Sequence, residues 1–172
     1  MNLQSDDFEL FGVERRFAQD AAGLDVRWKE LQRQTHPDRF AAQGAAAQRV
    51  AMQWSVRINE AYKRLKNPLD RAAYLCELGG APVQAEDNTA MPAAFLMQQM
   101  EWREALDDAV SLKDVEALHT SVRLAEQETF ARCAQAIDEA HDLAAAAREV
   151  RALMFLARFT RSVEQRADQL GQ

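Results

Sequence analysis

Cysteine is scarce in this chain. There are two, Cys76 and Cys133, far apart and without a CxxC pair. That argues against a disulfide framework and fits free thiols buried in a reducing compartment. Glycine and proline are scarce too, 6 and 4 in 172 residues, so long helices with few turns are expected. No apolar run approaches the roughly 20 residues of a membrane span. The opening Met1-Asn2-Leu3-Gln4-Ser5-Asp6-Asp7 lacks the basic-then-apolar order of a signal peptide, and a cytoplasmic protein is expected. There is no long Lys/Arg run, and the formal charge is −6, which argues against nucleic acid or an anionic membrane as partner. His36, His119, His141 and the two cysteines show no ligand spacing, so neither a metal nor another cofactor is expected.

The apolar fraction is 48%, but much of it is alanine, which favours helix and buries little area. Apolar periodicity predicts an all-α chain in two parts, with no strand pattern and no internal repeat. A brief helix carrying Phe8, Leu10 and Phe11 should end near Gly12. A second helix is predicted over 23–35, with Leu24, Trp28, Leu31 and Thr35 on its buried stripe and Lys29 and Arg33 opposite. Pro37 stops it and leaves His36 as the first non-helical residue. Val50, Trp54, Ile58, Ala61 and Leu65 mark a long helix up to Lys66. Asn67-Pro68 breaks that helix, and 69–78 returns to helix.

Residues 79–91 hold Gly79-Gly80, Pro82 and Asp87-Asn88-Thr89, and read as a linker between domains 1–78 and 92–172. Three helices should follow, at about 92–110, 112–140 and 143–169. Ser111 with Asp114 fits a capping-box variant at the second.

Two features carry chemistry. The first is His36-Pro37-Asp38, between a helix with an outward basic face and a helix reading Ile58-Asn59-Glu60-Ala61-Tyr62-Lys63-Arg64-Leu65. Proline stiffens such a loop, and a rigid exposed loop loses little entropy on binding. Asp38 offers a carboxylate to a partner arginine. Lys29, Arg33 and Arg39 give the face a positive potential that can steer it to an acidic groove. A general base (His36) oriented by Asp38 is the rival, enzymatic reading. The intervening proline makes that pairing awkward, and no nucleophile or phosphate loop accompanies it, so no enzyme is expected.

The second feature is the helix after the linker. With Phe95 at zero and about 100° per residue, Phe95, Trp102, Leu106 and Val110 form one apolar stripe. Leu96, Met97 and Met100 form another, with Glu104 within it and Glu101 and Asp107 at its edges. Two stripes mean a central helix or an exposed apolar patch. Methionine suits a surface that adapts to another protein. The last helix is doubled as well: Val150, Leu153, Met154 and Ala157 against Ala152, Phe155, Leu156, Phe159 and Val163.

Residues 6–75 resemble the J-domain, on His36-Pro37-Asp38 and its flanking segments. With Asn67-Pro68-Leu69-Asp70-Arg71-Ala72, Ala94-Phe95-Leu96-Met97-Gln98-Gln99-Met100-Glu101 and Val150-Arg151-Ala152-Leu153-Met154-Phe155-Leu156, nearly the whole chain resembles the HscB family of iron–sulfur cluster co-chaperones. The resemblance implies that His36, Pro37, Asp38, Lys29, Arg33 and Arg39 address a DnaK-type chaperone, HscA, and stimulate its ATP hydrolysis. It implies that Leu96, Met97, Met100 and Phe155, with Glu101 and Glu104, bind the scaffold protein IscU. Met100 stands where the family has leucine, a swap that nearly conserves volume. The alternative is a general J-domain co-chaperone serving other clients. Such proteins often carry a Gly/Phe-rich stretch or a zinc-binding cysteine array, and this chain has neither.

Overall fold

In the computed structural model, residues 2–83 and 91–171 are described. The expected linker, 79–91, includes 84–90, which lie outside them. All the regular elements of the described residues are helical. They form two compact units, Met1–Leu75 and Cys76–Gln172, and the division falls within a helix.

The first unit starts with α1 (Asp7–Phe11), capped by the Asp6 side chain, which accepts from the Glu9 N–H, and ended by Gly12 at φ 65°. A left-handed residue there costs glycine nothing. Next, α2 (Ala21–Thr35) begins two residues before the predicted start because Asp20 caps it, accepting from the Ala22 N–H. A 3-10 helix (Pro37–Gln43) leads to α3 (Ala45–Lys66), and α4 (Pro68–Leu78) follows the Asn67-Pro68 break. Phe8, Phe11, Leu24, Leu31, Ile58 and Leu65 are fully buried and form the core. Val50 departs from expectation: it is 51% exposed, while Ala51 is buried. Eight residues before Ile58, Val50 falls about 80° off the buried stripe.

In the second unit, α6 (Leu112–Asp138) and α7 (Leu143–Leu170) pair as a long hairpin, and α5 (Ala93–Asp108) lies against both. The capping box is present: Ser111 accepts from the Asp114 N–H, and the Asp114 side chain accepts from the Ser111 N–H. At the other end of the hairpin, His141 turns the chain at φ 51°, and Asp142 caps α7. The two apolar stripes of α7 mark a central helix: Val150, Ala152, Leu153, Leu156, Phe159 and Val163 are all buried. Val110 corrects the other expectation. It is 81% exposed, because α5 ends at Asp108 and the helical period stops with it; Ala109 is buried in its place.

Candidate functional site

His36 is extended, with φ −60° and ψ 128°, as the residue before a proline must be. Its Nδ1 accepts the Asp38 N–H at 3.3 Å and lies 3.6 Å from the Asp38 carboxylate. The acceptor role leaves the proton of the neutral ring on Nε2. The Asp38 side chain is 90% exposed, so its carboxylate is free to meet an incoming cation. Engagement of Nδ1 by the main chain differs from a base oriented by a carboxylate, the arrangement an enzymatic dyad needs.

Lys29 and Arg33 are exposed one turn apart on α2, leading to the loop. Arg39 is also exposed, but its Nη1 turns back to donate to the Arg33 carbonyl at 3.1 Å. The loop and stripe are therefore brought together on one end of α2.

A polar clip along α2 and α3 holds the two helices together and was not foreseen. Asn59 Oδ1 accepts from Trp28 Nε1 at 2.9 Å and from the Gln32 amide at 2.7 Å. Trp28 stacks on Tyr62, with centroids 4.8 Å apart. Tyr62 and Lys66 both donate to Asp25 at 2.6 Å. The Lys66 hydrogen bond, then that of Tyr62, holds the Asp25 carboxyl below its usual range. The signal that could have found the clip is the spacing of Asp25, Trp28 and Gln32, which share one face of α2.

On α5, Leu96, Met97 and Met100 are 37%, 62% and 71% exposed, and Glu101 and Glu104 are exposed with them. The opposite face is anchored by Trp102, stacked on Phe159 of α7 at 6.0 Å. Phe159 stacks in turn on Phe155, which meets Phe95 edge-on at 5.7 Å. This aromatic row places the half-buried Phe155 ring beside the helix that carries the exposed methionines. Arg103 lies over the same ring, 5.9 Å from its centroid.

Both cysteines are free and buried. Burial pushes the Cys76 thiol up to about 11 and the Cys133 thiol up to about 12. Among the described residues, no group of three His, Cys, Asp or Glu side chains could hold a metal ion. No described helix is long and apolar enough to cross a membrane.

A co-chaperone protein HscB homolog of Cupriavidus taiwanensis is 48% identical over 170 residues, covering 98% of this chain and 97% of the relative. The chain belongs to the HscB family. An HscB homolog of Bordetella petrii is 49% identical over 155 residues, covering 88% of this chain and 89% of its own. The family model described as the HSCB C-terminal oligomerisation domain matches residues 91–164. The solved chaperone HscB from Vibrio cholerae is similar, with a TM-score of 0.81, 33% identity, and coverage of 96% of this chain and 99% of that one. Human co-chaperone HscB has a TM-score of 0.89 at 27% identity, covering 96% of this chain and 83% of that one. The HscB relatives are named as co-chaperones.

Proposed function

We propose that this HscB chain is an adaptor for iron–sulfur cluster assembly in the cytoplasm, and not itself an enzyme. Domain 1–78 docks on the DnaK-type chaperone HscA through His36, Pro37 and Asp38 with Lys29 and Arg33, with Arg39 at the base of the loop, and stimulates its ATP hydrolysis. Domain 92–172 binds the scaffold IscU through Leu96, Met97, Met100 and Phe155, flanked by Glu101 and Glu104. Neither nucleic acid nor membrane takes part. The observation that carries this reading is the second face of α5. Its two methionines stay in solvent while Trp102 on the other face is buried. A surface of flexible thioethers ringed by carboxylates suits a partner with an apolar patch and basic rim.

Capture of IscU tests the scaffold half. The double variant Met97→Ser/Met100→Ser should lose at least about tenfold in affinity, as expected when central interface residues are removed. Equal capture by variant and wild type would overturn the scaffold assignment. The description of the matched domain as an oligomerisation domain favours a second reading, in which this face pairs with another copy of the chain. Sedimentation of wild type and double variant separates the two: self-pairing predicts a dimer that the variant loses, and scaffold binding predicts no change. Unaltered HscA stimulation by His36→Gln would overturn the chaperone half.

A further inference from the structure

A helix carbonyl normally accepts from the amide four residues on. For Arg33 that residue is Pro37, which has no amide hydrogen. The Arg39 guanidinium supplies the missing donor, 3.1 Å from the Arg33 oxygen. It also sets a cation at the C-terminal end of α2, where the helix dipole favours one. The link spans the whole of His36-Pro37-Asp38 and ties its far side to α2. Inside the loop, the Arg39 N–H donates to the His36 carbonyl at 3.0 Å and the Asp38 N–H donates to His36 Nδ1.

A similar link is made at the α3–α4 corner. There the Leu69 N–H is drawn to Asn67 Oδ1, so the Leu65 carbonyl also loses its donor four residues on. The Arg71 guanidinium, again six residues downstream, donates to that carbonyl. Arg71 is 8% exposed, and its guanidinium also lies over the Phe17 ring, 4.9 Å from the centroid. Arg39 repeats the construction on the surface.

We propose that Arg39 is a positioning residue: it holds the His36–Asp38 loop on the end of α2 and does not itself recognise the chaperone. The role in stimulation rests on the proposed docking to HscA, but the hold on the loop does not. Two measurements on the full chain separate the possibilities. In the free protein, Arg39→Ala should speed amide exchange at residues 39–43 by about tenfold, the equivalent of one lost hydrogen bond, with Arg39→Lys nearer wild type. Exchange in the core of α3 should not change. With HscA, Arg39→Ala should lower maximal ATPase stimulation and leave the salt dependence of the half-saturating concentration as in wild type. Arg33→Ala should flatten that dependence, as loss of a charge that meets the partner does. Unchanged loop exchange, full stimulation, or a flattened salt dependence in Arg39→Ala would each overturn the proposal. If wild type failed to stimulate, the docking reading would fall instead, and loop exchange would still decide whether Arg39 holds the loop.

Discussion

The Asp7 carboxylate is fully buried and lies 2.7 Å from the Arg57 guanidinium. Arg64 stands 3.3 Å from its other oxygen, and the Asp7 N–H donates to the Tyr74 hydroxyl. Neither carboxylate oxygen is aligned for a conventional hydrogen bond, so the attraction is coulombic. One side chain thus ties α1 to α3, and its amide ties α1 to α4. Removing it leaves a buried gap beside two partly exposed arginines. Asp7→Ala should lower stability by about 3 kcal/mol, the loss expected when one partner of a buried pair is deleted. Urea unfolding followed by circular dichroism measures it, and a loss under about 0.5 kcal/mol, the size of an ordinary surface substitution, would contradict the lock.

The sequence shows why Asp7 went unread. An acidic residue in the first turn of a helix ordinarily serves the helix dipole from the surface. Nothing local marks Asp7 as buried, because its partners come from α3, 50 and 57 residues later by number (57 − 7 and 64 − 7). The helices themselves were legible, since Asp6, Ser111 and Pro37 write their ends into the chain and the apolar periods write their faces. Val110 lies past the end of α5, where the helical period stops, and Val50 lies where steps of four residues have drifted off the buried face of α3. Two stripes alone fit the central α7 as well; what marks the second face of α5 is Glu104 within it and Glu101 and Asp107 at its edges. The hold of Arg39 on Arg33 depends on which way a side chain turns, and periodicity carries no information on that.

The capping box gives an acid-dependent term. The Ser111 hydroxyl, then the Val110 N–H, hold the Asp114 carboxyl below its unfolded value of 3.8. A group with a depressed folded pKa contributes stability above its unfolded pKa and loses it as pH falls through the folded one. The melting temperature should therefore fall as pH drops below about 4, and Asp114→Asn should make that fall shallower. Asp25 adds to it with the same sign, held down by Lys66 and then Tyr62. Ser111→Ala should cost about 1 kcal/mol at neutral pH, the usual worth of a helix N-cap. A fall of equal steepness in Asp114→Asn would remove Asp114 from the account.

Cys76 and Cys133 should be inert in the folded chain. Only thiolates react readily, and burial holds these thiols at about 11 and about 12. At mildly alkaline pH a thiol-reactive dye should label neither cysteine in native protein and both in denaturant. Labelling rates in dilute urea would then report unfolding of Cys76–Gln172, the unit that holds both residues. Rapid labelling of native protein would show that one of these sites opens locally.

Stability separates the residues of the α5 face by what else they do. Phe155 is half-buried in the row that runs from Phe95 through Phe159 to Trp102. Phe155→Ala should therefore cost about 2 kcal/mol of stability, below the range for a fully buried phenylalanine, besides any effect on binding. Met97 and Met100 are mostly in solvent, and their alanine variants should shift stability by less than about 0.5 kcal/mol. A binding loss in Phe155→Ala is consequently ambiguous, since α5 itself can loosen from α7 when the row is cut. A loss in Met97→Ala or Met100→Ala with unchanged melting points to the contact alone. Thermal melts and scaffold titration on the same three variants give both axes. Strong destabilisation by Met97→Ala or Met100→Ala would show that these side chains support the fold, and the face would lose its standing as a free docking surface.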